Sequence, residues 1–226
     1  MMMLANLYAL ARIPGRTRRL QSPTRRRTSL SHLWDDRADQ VVRNAFMHAD
    51  DPGLVLDVSR SVGRFWPVIM EKLNRRLIAG GADIERIVTT RGAQPSSIAE
   101  HIYPLKTGFS RIDLPQGGVD CVACIGLWET GLDSTQRLAL LGEFYRLTRE
   151  SVIISACVDG NVASWNRGRR VTRRGKPQVA PWSFGSILDQ QTVEQEFEKA
   201  GLKVVGVFEL LPLFSSWRVY VLRKET

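Results

Sequence analysis

The chain has 226 residues, of which 43% are hydrophobic and 24% are charged, and its formal net charge is +9. This composition fits one globular domain with a real core, extended by a short tail. Its three cysteines, an odd number without regular spacing, argue against a disulfide scaffold and favour a reducing, cytoplasmic location.

The positive charge is concentrated in two segments that contain no acidic residue, and the rest of the chain is net acidic. The first segment lies within the N-terminal 34 residues and the second between Gly160 and Leu188, and their basic residues are Arg12, Arg16, Arg18, Arg19, Arg25, Arg26, Arg27, Arg167, Arg169, Arg170, Arg173, Arg174 and Lys176. Trp165 and Trp182 flank the second cluster. Such segments suit an anionic membrane surface or a nucleic acid, and they are equally typical of a solvated tail and a mobile loop.

The N-terminus also requires a check for targeting signals. Its apolar stretch of about ten residues is too short to span a bilayer, and the arginines follow it, whereas a secretory signal has them first. The arginine-rich run resembles an organellar transit peptide, so import into an organelle stays open, as does peripheral attachment to a membrane. Residues 1–30 are therefore expected to form a basic, flexible tail.

No metal site is predicted. Cys121 and Cys124 have the spacing of a zinc-binding pair, but a second pair is missing and the histidines are scattered along the chain. Both cysteines, like Cys157, lie in apolar runs and are expected to be buried free thiols.

From residue 31 onward, helical and strand patterns alternate. Helices are expected at 31–47, 63–73, 83–91 and 134–148, and near 192–201, where Thr192 and Gln195 form a capping-box pattern. Strands are expected at 54–58, 76–80, 119–126, 151–157, 203–210 and 217–223, with a further short element at 107–114. The short connection through Pro212 requires the last two strands to be antiparallel.

These elements predict an α/β fold: a doubly wound, mostly parallel sheet of the seven-stranded type that ends in an antiparallel C-terminal hairpin. The predicted domain covers residues 31–226, with a basic insertion at about 160–188.

The most informative motif runs from Leu54 to Ile69. Three apolar residues, Leu54 to Leu56, lead into Asp57, and a tight loop then closes on Gly63. This strand and loop resemble the first motif of class I S-adenosylmethionine (SAM) dependent methyltransferases. In that family glycines alternate along the loop, because the backbone must approach the cofactor closely. Here Ser59 and Ser61 occupy two of the glycine positions, and Arg60 lies between them.

Three later strings also resemble this family. They are the run from Gly118 to Cys124, which contains Asp120; the helix and strand from Arg137 to Ser155; and the run from Phe197 to Val205. Together with the first motif, they extend the resemblance over residues 31–224.

The resemblance implies a Rossmann-like methyltransferase fold, a SAM cofactor and a set of site residues. Asp57, Ser59, Ser61 and Gly63 would surround the methionine end of SAM, and Asp113 would contact the adenine. The family's acidic ribose ligand falls at Gly81, with Asp83 two residues later. Leu127, Trp128 and Thr130 would border the methyl acceptor, beside Glu129 as a candidate general base.

Several of these residues also have a simpler interpretation. Asp57 could cap the loop, and Glu129 could be a solvated surface residue. Trp128 suits a lid and a packing position equally. Arg60 could pair with the cofactor carboxylate, or its side chain could fill the site.

Three functions follow as hypotheses. The first is a SAM-dependent methyltransferase for a small-molecule or lipid-linked acceptor. The second is a catalytically inactive methyltransferase-like protein that works as a scaffold or as the subunit of a protein partner, because Ser59, Arg60, Ser61 and Gly81 all depart from the family pattern. The third is a protein that binds nucleic acid, or methylates it, through the segments from Arg16 to Arg27 and from Arg167 to Lys176.

Overall fold

The computed structural model describes residues 29–108, 111–159, 187–211 and 215–225. The basic segments from Arg16 to Arg27 and from Arg167 to Lys176 lie outside these ranges. The compact unit that contains the sheet begins at Arg37. The predicted tail at 1–30 and the predicted insertion at 160–188 stay predictions.

A mixed sheet of seven strands organises the described residues, in the order β3-β2-β1-β4-β5-β7-β6. β7 is antiparallel to both of its neighbours, and all other strand pairs are parallel. The predicted fold class is therefore confirmed. The strands are β1 (Leu54–Asp57), β2 (Arg76–Gly81), β3 (Ile102–Lys106), β4 (Val119–Cys124), β5 (Thr148–Cys157), β6 (Leu202–Glu209) and β7 (Trp217–Lys224).

Helices connect most of the parallel strands. They are α1 (Ser29–His48), α2 (Trp66–Ile69), α3 (Ile84–Gly92), α4 (Ser96–Ala99), α5 (Ser134–Leu147) and α6 (Gln190–Lys199), with a short 3₁₀ turn at Trp128–Thr130. α3 packs against β2 and β3, whereas α5 packs against β4, β5 and α6. Because the strand order runs in opposite directions from β1 and from β4, right-handed crossovers place α3 and α5 on opposite faces of the sheet.

The central strands are apolar along almost their whole length because both faces of the sheet are covered. In β4, for example, only Asp120 is not fully buried. Asp120 lies near the start of this strand, where its carboxylate accepts the backbone N–H of Leu54 at 2.8 Å and pairs with Arg149 at 2.8 Å. This aspartate of the fourth-strand motif therefore joins β1, β4 and β5.

Side chains cap the two helices that follow β4 and β5 in the chain. Asp133 accepts the N–H of Gln136, whose side chain in turn accepts the N–H of Asp133, so α5 begins with a capping box. α6 begins two residues earlier than predicted. Its N-cap is Asp189, which accepts the N–H of Thr192, so the predicted capping box at Thr192 is wrong.

Two further elements differ from the sequence prediction. The helix expected over 63–73 is only Trp66–Ile69, and Leu73, which was expected on its buried face, is 84% exposed. The short element expected at 107–114 is absent from the described residues of that stretch, and strand β3 lies before it. β3 contains Pro104, which a strand accepts when it lies at the edge of its sheet.

Candidate cofactor site

The candidate site lies where the strand order reverses, between β1 and β4. In open α/β sheets, ligands bind beyond the carboxyl ends of the strands at such a switch point. The loop from Val58 to Gly63, called the β1 loop below, leaves β1 at this edge. The segment from Ile125 to Thr130 leaves β4 beside it. The fold thus brings Asp57, Ser59, Ser61 and Gly63 to the same edge of the sheet as Leu127, Trp128, Glu129 and Thr130.

Asp57 is buried at the end of β1, with both carboxylate oxygens hydrogen-bonded inside the protein. One oxygen accepts the backbone N–H of Ser59 at 3.0 Å, and the other accepts the indole N–H of Trp66 at 2.7 Å. Burial raises the pKa of Asp57 above its usual range, although the hydrogen bonds from Ser59 and Trp66 act in the opposite direction. Asp57 therefore holds the β1 loop and does not present its oxygens to a ligand.

Hydrogen bonds join the first half of the β1 loop to the segment that follows β4. The N–H groups of Val58 and Arg60 donate to the carbonyls of Ala123 and Ile125, at 2.9 and 3.0 Å. The hydroxyl of Ser59 accepts the N–H of Ile125 at 2.9 Å. The side chain of Ser59 therefore points toward β4.

The second half of the β1 loop is called open because its N–H groups have no acceptor among the described residues, although Gly63 itself is buried. Arg60 and Ser61 are exposed. Within the described ranges, no group accepts the backbone N–H of Ser61, Val62 or Gly63. Gly63 has a φ of +81°, and a Cβ there would lie 2.3 Å from Cγ2 of Thr90, so this position requires glycine.

The predicted ribose-binding end of the site has fewer groups available to a cofactor than the β1 loop has. Gly81 ends β2, and its carbonyl accepts the N–H of Thr107 at 3.0 Å. Asp83 is exposed and caps α3 by accepting the N–H of Arg86 at 3.0 Å. Neither residue presents a carboxylate at the strand end, where the family pattern places its ribose ligand.

The residues predicted to border the methyl acceptor include two buried apolar side chains. Leu127 is buried, and Trp128 is fully buried, with its ring 6.4 Å from that of Phe197. Trp128 is therefore a packing residue and not a lid. Thr130 donates its hydroxyl hydrogen to the carbonyl of Leu127 at 2.7 Å. The backbone of Glu129 lies in the 3₁₀ turn between them, and its side chain is outside what the structure describes.

Asp113 lies in a segment that packs against α5. Its neighbours Ile112 and Leu114 both accept hydrogen bonds from Arg146, and Glu143 accepts the N–H of Ile112. Arg146 is in the last turn of α5, directly before β5 begins, and therefore near the amino edge of the parallel strands. The described residues show no hydrogen bond between Asp113 and the β1 loop, and its contact with the adenine stays a prediction.

Two residues of the site were missed by the sequence analysis. Trp66 is fully buried and bonded to Asp57, and Ser155 of β5 accepts the N–H of Gly126 at 2.8 Å. An indole nine residues after an aspartate is not a recognisable motif, and a serine in a buried strand indicates only that its hydroxyl needs a partner.

In the described part of the chain, no three histidine, cysteine or acidic side chains are close enough to hold a metal ion. The same residues include no helix with the length and apolar character needed to cross a membrane.

Several solved structures with this arrangement of strands and helices are methyltransferases. Magnesium protoporphyrin IX methyltransferase from Synechocystis PCC 6803, with bound S-adenosylhomocysteine (SAH), matches at a TM-score of 0.62 and 11% identity, over 88% of each chain. This chain has the class I SAM-dependent methyltransferase fold. No protein-family model matches the sequence, and no curated protein matches it.

Two further methyltransferases from Streptomyces have the same fold. The CcbJ methyltransferase from Streptomyces caelestis matches at a TM-score of 0.59 and 14% identity, over 81% of this chain and 94% of that one. A riboflavin-derivative dimethyltransferase (RosA) from Streptomyces davawensis matches at a TM-score of 0.59 and 16% identity, over 83% of this chain and 55% of that one. The chain thus spans about half the length of the second protein.

Proposed function

We propose that this protein is a SAM-dependent methyltransferase that acts on a small-molecule acceptor. The open half of the β1 loop is the observation that carries the proposal. Three consecutive N–H groups, those of Ser61, Val62 and Gly63, have no acceptor within the described ranges. Successive free N–H groups of this kind bind anionic oxygens, such as the carboxylate of the cofactor's methionine end.

The side chains that depart from the family's glycine pattern form no hydrogen bond with these N–H groups in the described residues. Ser59 turns its hydroxyl toward Ile125, while the side chains of Arg60 and Ser61 are exposed. Arg60 would then pair with the cofactor carboxylate by a charge-assisted hydrogen bond. Asp57 would act through the loop that it holds, without touching the cofactor.

The ribose end fits the cofactor less well, since Gly81 has no side chain and Asp83 caps a helix. A site built this way binds mainly through its loop and through apolar contacts with the adenosine. We therefore expect weaker binding than in a methyltransferase with an acidic residue at this strand end.

When bound, SAM supplies an electrophilic methyl group, so few acid or base residues are obligatory. The task that remains for this chain is to hold an acceptor in line and to keep water away. Leu127 and Trp128 supply buried apolar surface at the end of β4, and Glu129 is the proposed general base. The solved structures with this fold include methyltransferases named for small molecules, such as protoporphyrin and mitomycin, which supports the proposed acceptor class.

A protein that no longer binds SAM and serves as a scaffold or partner subunit is the second candidate. It is favoured by the missing carboxylate at Gly81 and by the commitment of Asp57 and Asp83 to internal hydrogen bonds. A lipid-linked acceptor and contacts of the basic segments with anionic membranes or nucleic acid stay predictions.

The acceptor class can be tested with isotope-labelled SAM. The full chain is incubated with three separate fractions of a cell extract: molecules below about 1 kDa, total RNA and total protein. SAH release and labelling that require the small-molecule fraction support the proposal. Labelling only of RNA or only of protein contradicts the acceptor class, and the absence of both SAH binding and methyl transfer to any fraction favours the scaffold.

A further inference from the structure

Trp66 links the two ends of the β1 loop. Its side chain is fully buried in the first turn of α2, and its indole N–H donates to Asp57 at 2.7 Å. A Cβ added at Gly63 would be 3.5 Å from Cε3 of Trp66, so the same ring lies close to that glycine. One rigid side chain is therefore bonded to the residue before the loop and lies close to the residue that closes it.

We propose that Trp66 is the positioning residue of the β1 loop and that it sets, through Asp57, the backbone conformation that glycines permit in related loops. The effect on cofactor affinity rests on the function proposed above, whereas the effect on loop conformation does not.

The contacts form a continuous path from Trp66 to the loop. With one oxygen held by Trp66, the Asp57 carboxylate has a fixed orientation, and its other oxygen holds the N–H of Ser59 at 3.0 Å. Ser59 in turn accepts the N–H of Ile125, so its hydroxyl does not cover the loop. The N–H groups that follow, from Ser61 to Gly63, are left open. Loss of the indole N–H should therefore weaken the hydrogen bonds of Asp57 with Ser59 and of Ser59 with Ile125.

A purely space-filling role for Trp66 makes a different prediction, because phenylalanine fills most of the same volume. A second tryptophan of the chain provides the matched control. Trp128 is also fully buried, but its indole N–H has no acceptor within the described ranges. Trp128→Phe therefore removes the same atoms from the core without removing a hydrogen bond found in the structure.

Amide hydrogen exchange of the full-length protein measures the loop directly. In Trp66→Phe we expect exchange of the peptide that covers residues 57–65 to rise by about tenfold, the factor that corresponds to one lost hydrogen bond of about 1.4 kcal/mol. In Trp128→Phe the same peptide should exchange at the wild-type rate. An unchanged rate in Trp66→Phe, or an equal rise in both variants, overturns the proposal.

If Trp66→Phe does not fold, Asp57→Asn gives a second test. Asparagine keeps the shape of the side chain but replaces one acceptor with an N–H₂ group, which then faces either Trp66 or Ser59. The same peptide should again exchange faster, and a wild-type rate would overturn the proposal.

Titration with SAH measures the effect of Trp66 on cofactor affinity, which hydrogen exchange of the loop does not report. We expect SAH to bind Trp66→Phe about tenfold more weakly than it binds the wild type. Unchanged affinity overturns the role of Trp66 in positioning the site. Absence of SAH binding to the wild-type protein contradicts the proposed methyltransferase instead, and the exchange comparison then decides the role of Trp66.

Discussion

The hydroxyl oxygen of Ser59 lies 2.9 Å from the backbone nitrogen of Ile125 and accepts its N–H. A serine at a position where the family pattern has glycine is thus used to join the loops after β1 and β4. Its hydrogen bond to Ile125 continues the connection between β1 and β4 beyond Asp57 and Ala123, the last paired residues of the two strands. The two serines of the β1 loop therefore differ in role: Ser59 holds the structure together, whereas Ser61 is exposed.

Replacement of each serine by glycine should therefore change the stability by unequal amounts. Ser59→Gly leaves the N–H of the buried Ile125 without its acceptor, so we expect the free energy of unfolding to fall by about 1–3 kcal/mol. Ser61→Gly removes only an exposed hydroxyl and should change it by less than about 0.5 kcal/mol. Urea denaturation of both variants measures the difference, and equal losses would contradict this assignment of the two side chains.

Gly63 should tolerate no side chain. Alanine there would be strained at a φ of +81° and would meet Thr90 at 2.3 Å, so Gly63→Ala should lower the free energy of unfolding by more than about 1 kcal/mol. Gly92, the last residue of α3, has no neighbour within 4 Å of an added Cβ. Gly92→Ala should be neutral or slightly stabilising when the thermal unfolding of both variants is measured, and a similar loss in both would be evidence against the described loop.

An acidic residue at the end of β2 should improve cofactor binding. A Cβ at Gly81 would meet only the flexible end of Ile87, at 3.2 Å, so a side chain fits there with a small shift. Gly81→Asp would add a carboxylate able to accept both ribose hydroxyls, and we expect SAH to bind about tenfold more tightly. Gly81→Ala isolates the steric effect. If the aspartate variant binds no more tightly than the alanine variant, the ribose does not lie at this position.

The buried ion pair between Arg137 and Glu196 should make stability depend on pH. Burial alone raises the pKa of Glu196, but the hydrogen bonds from Arg137 and Ser134 outweigh it, and the net pKa lies below the usual range. A carboxyl group with a lowered pKa stabilises the fold above its ordinary pKa of about 4.5. That contribution is lost as the pH falls through the lower value.

Glu196→Gln leaves Arg137 charged and without its partner, so we expect a loss of about 3–5 kcal/mol at neutral pH. The difference from the wild type should shrink as the medium is acidified below about pH 4.5. Glu198→Gln, on an exposed position of the same helix, is the control. Unfolding curves between pH 3 and pH 7 that run parallel for wild type and Glu196→Gln would refute the role of this pair.

The fold could be predicted from the sequence where burial dictates composition. The continuous apolar runs of β4 and β5 and the antiparallel hairpin of β6 and β7 could all be identified from residue types alone. β3 could not, because Pro104 interrupts its pattern, and an edge strand needs less apolar surface than a central one.

The site could be predicted only in outline. Asp57 and Gly63 were identified because a strand end and a tight turn leave local signals. The contacts of Asp57 with Trp66 and of Ser59 with Ile125 depend on where the chain returns in three dimensions, and the second of these spans 66 positions. Asp189 was missed as a helix cap because Thr192 and Gln195 satisfy the capping pattern equally well in one dimension.

Calorimetric titration of the wild-type protein with SAH asks whether the open half of the β1 loop binds the cofactor's product. We expect saturable binding of one SAH per chain, with a Kd in the micromolar range or below and much weaker binding of adenosine and of methionine alone. No binding of SAH at about 1 mM, a concentration at which even a free energy of only about −4 kcal/mol is detected, would contradict it.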